Sequence, residues 1–376
     1  MSAYQQLLLG GFATAFVVGV AAQVSSFCPQ GGLREAMLQA RPARLAAYAV
    51  SIAEALLGVA ALQAMLGQSV APARPPYLAP VLPWGRYVFG GLLFGVGMAL
   101  ARGCPLRTAI RLGQGSLWAL VLLLVMAAAA YLFSRTALFD RGVAPWLLPL
   151  SVDLRKWHVP GQGLDAVLGW SSPGARIALG AGLGVVILLL ATPGLPWRGN
   201  LAKWIAAAGI GLMVAMGYAL TAGPIGMRAL DDASFMSEPP EGLGVQSFSY
   251  AGPLSDALHF ALRPATTTFT LSVVILLATV AGALVSAVVR REFSLRGFDP
   301  GAHPVRQVAG AALTGAGAVI GLGCTVGHGL SGIAVLSTGS MLALLSIFAG
   351  AALVIWLEHL APNVRRPFPP VPGCGA

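Results

Sequence analysis

The chain has 376 residues, of which 57% are hydrophobic and only 10% charged, with a mean hydropathy of +0.78. Soluble domains carry about 25% charged residues, so this composition excludes a soluble enzyme or binding module and describes an all-α integral membrane protein. The net charge of +10 raises nucleic acid as a partner. The basic residues are scattered along the edges of apolar runs with no polybasic tail, however, and membrane lipid is the partner that such a distribution fits.

A bilayer-spanning helix needs about 20 apolar residues. Runs of that kind lie near 5–27, 46–66, 86–102, 117–134, 176–192, 201–221, 266–289, 306–322 and 341–357, which predicts about nine transmembrane helices. The first run holds Gly10, Gly11 and Gly19, with no early basic cluster and no cleavage site of small residues. It reads as a retained span and not as a signal peptide.

Ser26-Phe27-Cys28-Pro29-Gln30-Gly31-Gly32 interrupts the first run. Pro29 removes a backbone donor and disfavours helical geometry at Cys28, and the glycines admit conformations closed to other residues. Arg102-Gly103-Cys104-Pro105 repeats the Cys-Pro break, and Gly321-Leu-Gly-Cys-Thr-Val-Gly-His-Gly329 makes one with glycine alone. Non-helical backbone at membrane depth is tolerated only where it is buried in protein or lines a cavity. Short re-entrant half-helices are therefore expected, with N-termini that offer free N–H groups and partial positive charge to an anion.

The segments around Cys104 and Cys324 match at a constant offset of 220 residues. Arg86, Val88, Gly90, Leu93, Gly95, Gly97, Gly103 and Cys104 recur as Arg306, Val308, Gly310, Leu313, Gly315, Gly317, Gly323 and Cys324. The chain thus divides into a first membrane half at 1–190, a Pro-rich linker at 191–200, a second half at 201–362 and a tail at 363–376. The opening break of the second half is Thr221-Ala-Gly-Pro-Ile-Gly226. Aligning Pro224 on Pro29 puts Gly223 where Cys28 stands.

Arg41 and Arg44, Arg290, Arg291 and Arg296, and Arg365 and Arg366 are the densest basic sets, and the positive-inside bias assigns them to the cytoplasmic side. Segments 140–172 and 231–263 hold Asp140, Asp153, Asp165, Asp231, Asp232, Glu238, Glu241 and Asp256 and are assigned to the outside, although Arg155, Lys156 and Arg263 also lie there.

Four cysteines include no Cys-x-x-Cys pair. Each of Cys28, Cys104 and Cys324 sits at a predicted break, which sets them apart from small packing residues; Cys374 lies in the tail and reads as dispensable. Cu(I) or zinc could use such thiols with His328, but the residues form no ligand cluster of the usual spacing, and the reading assigns neither metal nor cofactor. A thiol is also a weak hydrogen-bond donor with a polarisable surface, suited to a sulfur-containing anion.

These motifs carry a resemblance. Phe27-Cys28-Pro29-Gln30-Gly31-Gly32-Leu33-Arg34-Glu35, the run from Gly95 to Gly115 around Cys104, and the run from Gly321 to Gly332 around Cys324 resemble, in this order, the three motifs of the YeeE/YedE family of sulfur-compound transporters. The resemblance spans nearly the whole chain. It implies uptake of thiosulfate across the inner membrane, two inverted internal repeats, and passage of the anion along Cys28, Cys104 and Cys324 by S–H···S hydrogen bonds. It further implies a small cytoplasmic sulfur-carrier protein as partner. Where the family commonly has Gly-Gly-Cys and Gly-Glu-Gly, this chain has Arg102-Gly103-Cys104 and Gly113-Gln114-Gly115, a more positive region.

Arg107 and Arg111 share a helical face beyond Cys104, and Arg34 stands six residues past Cys28. They read as cations that steer anions at the mouths of a path or snorkel to headgroups. His328 either donates to an anion or makes a buried hydrogen bond, and Gln114 reads as a pathway residue or a helix-end residue. A membrane thiol enzyme, a carrier of another sulfur or selenium species and an assembly subunit are the alternatives. The enzyme lacks the Cys-x-x-Cys pair it would want.

Overall fold

The computed structural model describes residues 2–170, 172–194, 201–237, 239–264, 268–297 and 303–360. Residues 195–200 of the linker, Glu238, Arg365, Arg366 and Cys374 lie outside the described residues. The first half runs α1 (Ala3–Val24), α2 (Pro29–Gln39), α3 (Ala43–Leu66), α4 (Trp84–Leu100), α5 (Pro105–Gly113) and α6 (Leu117–Arg135). Short helices α7 (Leu138–Gly142), α8 (Ala144–Leu147) and α9 (Leu164–Val167) follow, then α10 (Pro173–Ala191). The remainder is α11 (Leu201–Ala222), α12 (Pro224–Ser234), α13 (Ala251–Leu262), α14 (Leu271–Val289), α15 (Pro304–Ile320), a π-helical turn over Gly327–Gly332, and α16 (Thr338–Leu360). One antiparallel pair, β1 (Val81–Leu82) with β2 (Val152–Asp153), ties two loops together.

Among the described residues, eight helical segments are long and apolar enough to cross a membrane. The ninth predicted run, 306–322, forms α15, which at 17 residues matches α4 in length and packs between α4 and α6. The run at 266–289 begins later, at Leu271, because Thr270 caps that helix by accepting from Val273 N.

Helix α4 packs antiparallel on α15 through glycine, and the pairing is its own image under the 220-residue offset. A side-chain carbon on Gly97 would strike Gly310 O and Thr314 N, and one on Gly317 would strike Gly90 O and Phe94 N. Adding 220 to one member of each contact and subtracting it from the other turns the first set into the second. Close backbone approach of this kind supplies the van der Waals contact that holds helices together in lipid.

The outer pairs obey the same rule. Helix α1 lies along α14, with Gly19 against Thr279 and Gln23 against Ser286, as α11 lies along α3, with Gly211 against Ser51 and Gly58 against Ala215. Helix α10 packs on α3.

The molecule has a basic end and an acidic end. Arg34, Arg306 and Glu358 meet at the first, where Arg34 Nη1 lies 2.7 Å from Glu358 Oε2 and Arg306 pairs with the other carboxylate oxygen. At the second, Arg135 holds Glu241 at 2.9 Å and Asp256 at 3.0 Å. The segregation follows the charge pattern of the sequence.

Candidate functional site

Three helices end on the same backbone device. Ser26, Arg102 and Leu322 have φ of +52°, +59° and +65°, the left-handed conformation that normally falls to glycine at a helix end. The second residue of each closure donates back five positions: Phe27 N to Ala22 O at 2.9 Å, Gly103 N to Met98 O at 3.0 Å and Gly323 N to Ala318 O at 2.9 Å. This is a Schellman closure, and a non-glycine residue there costs roughly 1–2 kcal/mol. Each cysteine comes two residues after the left-handed position, where it begins the next helix.

Cys28 is the N-cap of α2 and Cys104 that of α5, both in extended conformation with proline at the first helical position. Cys28 Sγ accepts from Gly31 N at 3.2 Å and Cys324 Sγ from Gly327 N at 3.4 Å, whereas the Cys104 side chain makes no capping hydrogen bond. Cys28 and Cys324 therefore take the amide three residues on, the position that a capping serine would use. Gly223 begins α12 in the same way, with Pro224 after it, but offers no thiol and follows no left-handed residue.

The thiols gather. Cys104 has Cys28, Cys324 and the Thr325 side chain as neighbours. All three are buried, with Cys28 7% exposed and the other two 1%, and unbonded to one another. Tyr48 braces the group by donating to Thr325 O at 2.7 Å and packing edge-on against Phe27. Tyr250 N, at the start of α13, points at Cys324 Sγ across 3.4 Å. Nothing in the sequence pattern singles out Tyr48, Tyr250 or Thr325, because their closeness to the thiols comes from long-range packing.

A cavity lies on each side. Arg102 lines a small one of about 20 Å³ at the basic end, with Arg34, His303, Arg306, Gln307 and Glu358. Leu322, its counterpart in the repeat, lines one of about 370 Å³ toward the acidic end, with Arg74, Arg135, Ser249 and Asp256. The thiol cluster stands between a wide vestibule and a narrow one.

The other predicted residues separate. Arg107 does not sit at a mouth: it is 1% exposed and is the largest of the fully buried side chains, because α5 turns inward between α6 and α14. Arg34 does lie at a vestibule, where it pairs with Glu358. Arg111 and Gln114 lie in the last turn and C-cap of α5, about 10 Å and 15 Å along the helix from Cys104 at 1.5 Å per residue. The backbone carbonyl of Gln114 receives Ser294 N there. His328 makes the buried hydrogen bonds: Nε2 lies 2.8 Å from Gly321 O and must donate to it, which leaves Nδ1 to accept from Ser340 Oγ at 3.2 Å. Its ring fills the space beside Gly323, where an added carbon would come 2.6 Å from Nε2. Gly103 has no such neighbour, its nearest being Arg107 Cγ at 3.4 Å.

Apolar membrane-crossing helices, broken at three buried thiols between two vestibules, define a multi-pass membrane transporter. The chain belongs to the sulphur-transport family, whose model matches residues 24–353. It is similar to the thiosulfate transporter TsuA of Escherichia coli strain K12, with 25% identity and coverage of 95% of this chain and 96% of that one. It is also similar to the thiosulfate transporter TsuA of Spirochaeta thermophila, with 26% identity over 72% of this chain and 76% of the other. The protein is thus a transporter of sulfur compounds in the inner membrane, and no enzyme.

Proposed function

We propose that the protein takes up thiosulfate through two inverted halves, 1–190 and 201–362, and that the anion passes Cys324, Cys104 and Cys28 in turn. The observation that carries this reading is that each of the three buried thiols stands at the start of a helical segment, right after a left-handed helix closure. Cys28 and Cys324 accept a backbone N–H at the start of a helical segment, which leaves each thiol hydrogen to donate to the terminal sulfur of the substrate, and Cys104 caps no amide with its side chain. That sulfur is large, soft and poorly hydrated, a better match for a thiol than for a hydroxyl.

An anion in low-dielectric surroundings loses its hydration at great cost. Amides at the starts of α2 and α5 and of the helical segment after Cys324 offset part of that loss, and Arg107 adds a buried positive charge. Conduction also demands that binding stay weak enough for release. Three stations of one thiol each suit passage better than a single site with three ligands. At the cytoplasmic end, Arg34, Arg102, Arg306 and His303 form a basic basin from which a small sulfur-carrier protein would collect the product.

The test is growth of a sulfur-auxotrophic host, deprived of its own uptake systems, on thiosulfate as sole sulfur source. Rescue by this chain on thiosulfate and not on sulfate supports the reading. Rescue on neither sinks it.

A further inference from the structure

Two buried hydroxyls next to the thiols lack the partners that burial normally demands. Tyr77 is 1% exposed and its hydroxyl makes no hydrogen bond; Thr325 is 0% exposed, and no partner of hydrogen-bonding geometry meets its Oγ1, although the Cys104 thiol stands beside it. Most buried polar atoms in folded proteins are paired, and an orphan costs about 1–3 kcal/mol. Two orphans within one cluster, in a protein that handles a small polar anion, call for a common explanation.

Their placement supplies one. A side-chain carbon on Gly327 would lie 2.9 Å from the Tyr77 hydroxyl and 2.8 Å from Ser249 Oγ. The two hydroxyls therefore converge on the space left by the missing side chain. Gly327 N is the donor to Cys324 Sγ, so this space adjoins the thiol. Ser249 Oγ accepts from Ala251 N at 3.4 Å, which keeps its own hydrogen for a ligand, and Ser249 also lines the large vestibule. Thr325, the residue after Cys324, has its hydroxyl beside the Cys104 thiol.

We propose that Tyr77 and Ser249 at Cys324, and Thr325 at Cys104, form oxygen-binding subsites that receive the sulfonate end of the transported anion while the thiols receive its terminal sulfur. This rests on the thiosulfate reading and assigns the other half of the substrate. Each station then recognises both ends of the anion: a soft donor for the sulfur and a hard hydroxyl donor for an oxygen. Sulfate would present oxygen to the thiol and lose that match. Neutral hydroxyls also suit passage, because they bind a dianion less tightly than a fixed cation would.

The test uses the full-length protein in vesicles with labelled thiosulfate, comparing Tyr77→Phe, Thr325→Val and Thr325→Ser. Because these hydroxyls have no protein partner of bonding geometry, their removal with shape retained should leave thermal unfolding in detergent unchanged or slightly higher. The half-saturating concentration should nevertheless rise about tenfold in Tyr77→Phe and in Thr325→Val, as for loss of a hydrogen bond to a charged ligand. Thr325→Ser should transport like the unaltered protein. If the unaltered protein takes up thiosulfate and both Tyr77→Phe and Thr325→Val match it, the subsites are overturned while the thiosulfate reading stands. Loss of uptake together with a lowered unfolding temperature in both would also overturn them, by showing a structural role. Absence of thiosulfate uptake by the unaltered protein overturns both proposals.

Discussion

Arg102 and Leu322, 220 residues apart, hold the same left-handed backbone conformation, with φ of +59° and +65°, and face opposite vestibules. Arg102 lines the narrow basic cavity and Leu322 the wide one. Each closes a helix and delivers, two residues later, a thiol to the shared centre. The symmetric backbone device thus serves two chemically different mouths, one cationic and one apolar at the equivalent position.

The capping geometry of Cys28 and Cys324 separates their structural role from their role in transport. Serine caps a helix at least as well as a thiol, whereas alanine loses the cap at a cost of about 1 kcal/mol. Cys28→Ser, Cys104→Ser and Cys324→Ser should therefore keep or raise the unfolding temperature in detergent and still lose uptake of labelled thiosulfate. The alanine variants should lose uptake, with a modest fall in stability for Cys28→Ala and Cys324→Ala, whose thiols cap a helical segment. Full uptake by Cys104→Ala would rule out a relay of thiols.

Gly103 and Gly323 are equivalent in the repeat and unequal in space. Gly323→Ala would drive a methyl into His328, whose ring is fixed by Gly321 O and Ser340, and should destabilise by about 1–3 kcal/mol as overpacking does. Gly103→Ala meets only ordinary contacts and should change stability by less than about 1 kcal/mol. Equal unfolding temperatures for the two variants would show that His328 yields.

Arg107 and Arg34 should differ in kinetics. Arg107 is buried beside the Cys104 break, and charge inside a membrane protein belongs by default to its pathway. Arg107→Gln is expected to lower saturating uptake about tenfold or more, at all salt concentrations. Arg34, 29% exposed at the vestibule, should act by steering: Arg34→Gln raises the half-saturating concentration at low salt, an effect that screening abolishes by about 0.15 M. An Arg107→Gln protein with normal saturating uptake would remove that residue from the path.

Glu358 clasps Arg34 and Arg306 at the narrow end while only 11% exposed. Glu358→Gln leaves two cations facing each other and should destabilise by about 1–3 kcal/mol, between the ranges for exposed and fully buried pairs. In a double-mutant cycle, Arg34→Gln should recover part of that loss. Additive effects would mean that the clasp contributes nothing to the fold.

At the acidic end, hydrogen bonding to Arg135 lowers the Glu241 carboxyl below its ordinary value. Its contribution to stability is complete above the unfolded-state range of about 4.3 and is lost as pH falls through the lower folded value. Glu241→Gln should accordingly be less stable than the unaltered protein at neutral pH, by under about 1 kcal/mol because the pair is exposed. The two should converge in strong acid. A difference that persists there would point to packing in place of charge.

Hydropathy, the Cys-Pro and Gly-rich breaks and the 220-residue offset made the helices, the half-helices and all three thiols legible in the sequence. Each is a local property: apolar runs of bilayer length, residues that cannot continue a helix, and identities at a fixed spacing. Even the correspondence of Cys28 with Gly223 follows from the register of Pro29 on Pro224, and both residues begin a half-helix. Only the tertiary structure decided which charges are buried and which hydroxyls reach the thiols. Arg107 and Arg111 share a helical face in sequence, yet α5 carries Arg107 into the interior and ends near Arg111. Tyr77, Ser249 and Thr325 come from a loop before α4, a loop before α13 and the helical segment after Cys324. Their meeting depends on contacts across long stretches of chain, which no periodicity or motif in the sequence encodes.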